Sequence, residues 1–226
     1  ATGKTDLPLK ETILKLFGFA MSYPWVEEWL EGCREPFHVT QKEQFDQLPM
    51  IRELLDYLGN ITAQWAIQMK QCREISLAAD GPNAYAELME LEAAAMEQIG
   101  QSKTYQEYYQ GIGALSFSRL PTLRKFAGDM AKKEQVQKRR NEVKDSVKKI
   151  TKQFFYQSPE EMMADLAKSR PVADMLLDVT LAFIHAFFFF FRDKNILDFN
   201  DLEHFALQIL VDDKTHKPSQ TAAELL

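Results

Sequence analysis

Four cations recur at intervals of four, Arg140, Lys144, Lys148 and Lys152, inside KEQVQKRRNEVKDSVKKITKQFF. On a helix, side chains four apart stand above one another, so these four form a ridge. Lys133, Arg139 and Lys149 widen it. Like charges at this spacing cost a helix a few tenths of a kcal/mol per pair. A polyanion lying along the ridge would offset that cost, because each neutralised phosphate releases counterions. The chemistry on offer is phosphate contact that fixes position without reading sequence. The bland reading is a solvated helix face, which is what most charge runs are. Residues 132–152 hold nine Lys or Arg against three Asp or Glu, while the rest of the chain holds 18 bases against 30 acids. An overall charge of −6 therefore conceals one strongly basic segment.

Catalytic chemistry is harder to find. TGKT, Thr2–Thr5, imitates the end of a phosphate-binding loop, but that loop needs an earlier glycine, a preceding strand and a helix directly after it. His38, His185, His204 and His216 are scattered, with no His pair at helical spacing, so no metal site is expected. His185 lies in an apolar run, where a hydrogen-bonded core histidine is the commoner case. Acidic pairs such as Glu27-Glu28 and Glu160-Glu161 suit solvated faces and first helical turns. No Ser-His-Asp or Cys-His arrangement can be assembled. Cys33 and Cys72 have no zinc spacing and imply no disulfide framework, which fits a reducing cytosol.

The elements that must carry the ridge read as helices almost throughout. Val136, Val143, Val147, Ile150 and Phe154 recur every three, four or seven residues, giving the basic helix a second, buried stripe. Ile51, Leu54, Leu58, Ile61, Trp65, Met69 and Cys72 do the same for a long helix from Pro49. Asp6 is the expected N-cap of a first helix with Leu9, Ile13, Leu16, Phe17 and Ala20 on one face. DGPN, Asp80–Asn83, predicts a turn, and GIGALSFSRLP, Gly111–Pro121, is the least helical stretch. Ser158 caps a short helix expected to run to Lys168, and Pro171 is expected to open the next. No alternating Val/Ile/Thr runs occur, so the fold class is all-α, an irregular multi-helix domain with few or no strands.

Val179–Phe191 is the most apolar segment, but its thirteen residues fall short of the roughly 20 that span a bilayer. No membrane is expected, and the segment reads as a buried core helix. Its five consecutive phenylalanines, Phe187–Phe191, cannot share one face: either the helix is buried nearly all round, or some rings await a partner. The tail starts a helix too short to stand alone. With no initiator methionine, this suggests a piece of a longer protein.

NILDFNDLEHFALQIL, Asn195–Leu210, is more specific than a helix start requires. It resembles the LDFxDL helix of superfamily 1 DNA helicases of the UvrD and RecB type, through Leu197, Asp198, Phe199, Asp201 and Leu202. With LEH following, it is most similar to the AddA (RexA) subunits of AddAB helicase–nucleases. AMSYPWVEEWL, FSRLPTLRKF, KEQVQKRRNEVKDSVKKI and FFYQSPEEM resemble segments of that family in the same order. The resemblance implies a helical insertion called subdomain 1B over residues 1–194. Residues 195–226 would be the junction helix and the start of a truncated RecA-like ATPase domain.

It also implies a parent that moves on DNA with ATP and Mg2+, processes double-strand breaks for recombination in the cytoplasm, and pairs with an AddB/RexB-type subunit. DNA-contacting residues would be Lys133, Arg139, Arg140, Lys144, Lys148, Lys149 and Lys152. No Walker A loop, Asp-Glu-x-Gln-Asp box or nuclease motif is present, so the family's catalytic residues fall on no position and no cofactor is expected in this chain. The five motif residues around Asp198 would be structural, with Leu197, Phe199 and Leu202 packing into the core and Asp198 or Asn200 capping. The phenylalanine run departs from the more polar helix the family suggests there. The rival reading is a protein-interaction module, in which that run docks a partner and the ridge only solubilises.

Overall fold

The computed structural model describes residues 6–194, 196, 199–212 and 215–225, apart from the side chains of Phe199, Asn200, Asp201, Gln208 and Leu225. Ten α-helices occur among them. They are α1 (Leu7–Ala20), α2 (Val26–Gly32), α3 (Lys42–Gln47), α4 (Pro49–Leu77), α5 (Ala86–Gly100), α6 (Tyr105–Ala114), α7 (Met130–Phe154), α8 (Pro159–Asp193), α9 (Phe199–Leu210) and α10 (Gln220–Leu225). The one β pairing among the described residues is an isolated bridge between Val211 and Pro218. The chain is therefore all-α. Its contacts divide it into two units, Val39–Asp165 and the pair of segments Ala1–His38 with Leu166–Leu226.

In the Val39–Asp165 unit, α4 is the axis. Its 29 residues extend about 43 Å at 1.5 Å each. Leu58, Trp65, Met69 and Cys72 are buried on its expected stripe, and α5 answers with Met89, Ala93, Met96 and Ile99. The close approach of α6 to α5 explains Gly111: a Cβ there would lie 3.0 Å from Ile99 Cγ1. Helix α6 therefore runs through both glycines to Ala114, where the sequence had suggested irregular chain from Gly111. Only residues 115–121 of that stretch are non-helical. Tyr105 and Tyr108 are sealed beneath α6, and the Tyr105 hydroxyl donates to the Phe154 carbonyl at the end of α7. Burial pushes the Tyr105 phenol up to about 12 and the Cys72 thiol up to about 11.

In the other unit, Ala20, Leu30, Leu177 and Ile184 form a small core, with Phe17, Trp29 and Phe188 packed on it. Asp6 occupies the N-cap position of α1 but makes no side-chain capping bond; its carbonyl accepts from Lys10 at 3.0 Å. Pro171 does not open a helix as expected. It lies inside α8, which continues for 35 residues. A proline there removes one backbone bond and crowds the carbonyl four residues back, at Ala167. The helix continues on both sides of that single lost bond. At the start of α8 the expected cap holds reciprocally: Ser158 Oγ accepts from the Glu161 amide at 3.2 Å, and the Glu161 carboxylate accepts from the Ser158 amide at 2.8 Å.

The phenylalanine run divides, which overturns the reading of a helix buried nearly all round. Phe187 stacks on Phe191 at 4.3 Å and meets Phe17 at 5.0 Å, whereas Phe189 is 75% exposed and Phe190 54%. By length and composition α8 could cross a membrane. Yet Asp174 and Asp178 on it bind Arg34 at 3.4 and 2.5 Å, and His185 lies 2.8 Å from Glu27. The Asp174, Asp178 and Arg34 charges would be costly in hydrocarbon. His185 is thus an exposed histidine within hydrogen-bond distance of Glu27 rather than a core one.

Candidate nucleic-acid interface

Helix α7 is anchored at its first residue. Asp129 caps it, accepting from the amides of Ala131 at 2.8 Å and Lys132 at 3.4 Å. The Asp129 amide donates to the Asp80 carbonyl at 2.7 Å, within the predicted turn, where Asp80 itself has φ of 57°. The chains meet so closely that a Cβ on Gly128 would lie 2.4 Å from that carbonyl oxygen, so only glycine fits. Further along, Trp65 Nε1 donates to Ser146 Oγ at 3.0 Å. Val136, Val143, Val147 and Ile150 are buried, as their spacing predicts, while Phe154 is half-buried.

With its apolar face fixed, α7 holds Lys144, Lys148 and Lys152 along one lip of a groove of ≈ 370 Å³. Ile112, Leu115 and Phe117 stand across from them, with Val147 in the floor. Lys148 lies 3.3 Å from Asp145, one turn back, but both are exposed, and such a pair is worth little. Among the described residues, Lys144 and Lys152 have no acidic partner within ion-pair distance. Lys149 is exposed but does not line the groove. Arg139 donates to Gln71 at 2.7 Å, and the Lys133 ammonium sits 5.6 Å from the Phe126 ring centroid.

Arg140 is not on the ridge. Its side chain is 5% exposed and donates twice to Glu92, from Nε at 2.8 Å and Nη2 at 2.5 Å. Nη2 also donates to the Ser118 carbonyl at 2.7 Å, and the guanidinium lies 5.5 Å from the Phe117 ring. The fourfold spacing that aligned it with the lysines is correct, but the i−4 end of that row turns beneath the 115–121 segment. There Glu92 of α5 captures it. Three of the five guanidinium N–H groups are taken by Glu92 and Ser118, and the side chain is too deeply buried to meet a phosphate at the surface.

The LDFxDL stretch is only partly describable. Leu197 and Asp198 lie outside the described residues, as do the side chains of Phe199 and Asp201. Leu202 is 54% exposed, so it does not pack into the core as expected. Phe205 and Ile209, three and seven residues on, are exposed with it, at 46% and 59%. The amphipathic face of α9 is real, but Leu202, Phe205 and Ile209 on it stay about half exposed. Among those residues no three His, Cys, Asp or Glu gather as a metal site would require.

No family model matches the chain. Individual relatives do. It is 31% identical over 232 residues to the A subunit of the ATP-dependent helicase/nuclease of Lachnoclostridium phytofermentans, a match covering 100% of this chain and 17% of that protein. It is 34% identical over 214 residues to the protein of the same name from Thermoanaerobacter sp. (strain X514), and 32% over 212 residues to that of Alkaliphilus oremlandii. The chain belongs to the family of ATP-dependent helicase/nuclease A subunits. It spans about a sixth of the length of the relatives it matches.

Against these relatives, the match runs through α4 to α7 and the 115–121 segment alike, since it covers the whole chain. The sequence left unassigned the residues that complete the groove, Ile112, Leu115 and Phe117, and the buried Glu92 that holds Arg140 behind it. The irregular segment 115–121 was visible from its glycines and proline, but no local signal says which helix a loop will lie against. The partner of Arg140 lies 48 residues earlier, and its capture is a tertiary event.

Proposed function

We propose that this chain is the DNA-contacting, non-catalytic arm of an ATP-dependent helicase/nuclease subunit that processes double-strand breaks for recombinational repair. The observation that carries the reading is the row of Lys144, Lys148 and Lys152 on one groove lip. Lys133, Arg139 and Lys149 extend the positive field on α7, and Arg140 supports it from within. These cations grip phosphates without reading bases, so duplex or forked DNA is held irrespective of sequence.

On this reading residues 1–194 form the helical insertion, and 195–226 lead back into an ATPase domain with Leu197, Asp198, Phe199, Asp201 and Leu202 at the junction. ATP, Mg2+, an AddB/RexB-type partner and cytoplasmic location belong to the longer polypeptide. The described residues include no glycine-rich loop leading into a helix, so no step is assigned to a nucleotide here.

The test is charge reversal of Lys144, Lys148 and Lys152 in the full-length polypeptide. DNA affinity should fall, and the slope of log K against log salt should shrink by roughly one per lost phosphate contact. An unchanged slope would sink the proposal. A second reading is favoured by the exposed Phe189, Phe190, Leu202, Phe205 and Ile209: a module that docks another domain or protein through apolar surface. Self-association of the isolated chain in sedimentation, indifferent to DNA, would select it.

A further inference from the structure

We infer that the groove between α7 and residues 112–117 holds a single nucleic-acid strand, with phosphates on Lys144, Lys148 and Lys152 and a base against Phe117. This deepens the DNA-contact reading and rests on it.

The first ground is the composition of the groove. A surface that only tracks a duplex backbone needs cations and donors. Here one lip is cationic, while the opposite wall is Ile112, Leu115 and Phe117 and the floor is Val147. Cations beside aromatic and apolar surface are the combination that single strands use, because their bases have free faces to stack. A duplex keeps those faces inside its own stack.

The second ground is dimension. Successive lysines four residues apart advance about 6 Å, so the three span about 12 Å. Three to four nucleotides fit beside that length at roughly 3.4 Å per nucleotide of one strand. The groove volume of ≈ 370 Å³ lies at the low end of small-ligand sites, which run from about 300 Å³. That is room for a base beside Phe117, with the neighbouring nucleotides left along the open lysine row.

The third ground is preorganisation. Phe117 is not a loose loop residue. The Arg140 guanidinium lies 5.5 Å from its ring, and the same guanidinium holds the next carbonyl, Ser118, at 2.7 Å. Glu92 fixes Arg140 in turn through two charged bonds. The wall is therefore set before any strand arrives, which removes an ordering cost from binding. Arg140 is a positioning residue here, not a phosphate ligand.

The experiment is photo-cross-linking of the full-length polypeptide to a single-stranded oligothymidylate carrying 5-iodouracil, with cross-linked peptides mapped by mass spectrometry. Mapping by residue separates this groove from any other strand-binding surface in the longer protein. The expected result is a cross-link at Phe117 that falls about fivefold or more in Phe117→Leu, with the salt slope unchanged. Blunt duplex should compete poorly for it, and polyglutamate not at all. Cross-links confined to α7 peptides, or efficient competition by duplex, would overturn the single-strand assignment while leaving phosphate contact standing. Competition by polyglutamate would assign the groove to an acidic peptide instead. No cross-link to either α7 or residues 112–117, with affinity untouched by lysine reversal, would remove both readings together.

Discussion

Arg140 and Glu92 are a sealed ion pair: each side chain is about 5% exposed or less, and two hydrogen bonds of 2.8 and 2.5 Å join them. The pair ties α5 to α7 and, through the Ser118 carbonyl, fixes the segment between α6 and α7. Removing one partner strands a buried charge. Arg140→Ala is therefore expected to destabilise by about 3–5 kcal/mol, and Arg140→Met combined with Glu92→Leu by much less, since apolar replacement of a whole buried pair is often tolerated. Urea denaturation of the two variants measures the difference. Equal losses would mean that the pair is not where the stability resides.

Alkaline pH should loosen the same unit. Burial raises the Cys72 thiol to about 11 and the Tyr105 phenol to about 12, above the ordinary values of 9.0 and 10.0. A raised folded-state value means that the stabilisation is fully present below the unfolded value and is lost as pH rises through the folded one. Stability should accordingly hold to about pH 9 and then decline toward pH 12. Ionised Tyr105 also loses its bond to Phe154. Cys72→Ala should flatten the lower part of the decline, between pH 9 and 11, when denaturation midpoints are compared across pH.

The caps and stripes were legible because they are set by the helix itself. Val136, Val143, Val147 and Ile150 are buried where a 3.6-residue period puts them, and Ser158 with Glu161 closes the box its spacing announces. What depends on a distant neighbour was not legible. Arg140 has the spacing of a surface lysine and the environment of a core residue, and only the approach of α5 decides which. Pro171 reads as a helix start, yet α8 continues on both sides of it. Leu202 has the pattern of a core residue and is exposed, because amphipathicity states which face seeks a partner and not whether one is present.

The cap at Ser158 gives a prediction of local scope. Ser158→Ala removes the acceptor for the Glu161 amide, and a loss of about 1 kcal/mol is expected. Glu161→Ala removes the reciprocal acceptor for the Ser158 amide. Because each group serves the other, the double variant should lose less than the sum of the singles. A strictly additive pair in a double-mutant cycle would show that the two halves of the box act independently.

The phenylalanine run offers the sharpest contrast, because neighbours in sequence have opposite surroundings. Phe187 lies against Phe17 and Phe191, while Phe189 is 75% exposed two residues later. Phe187→Ala removes a ring from the α1–α8 contact, and by the scale of buried aromatic truncations it should cost up to about 3 kcal/mol. Phe189 is mostly exposed, so Phe189→Ser should change stability by no more than about 0.5 kcal/mol. It removes about half of an exposed apolar pair with Phe190, so it should also lower any self-association of the isolated chain. Thermal denaturation and sedimentation of the two variants separate the cases. If Phe189→Ser destabilised the isolated monomer as much as Phe187→Ala, the ring would be part of the core rather than a surface left for a partner. The placement of the run on α8 would then have to be redrawn.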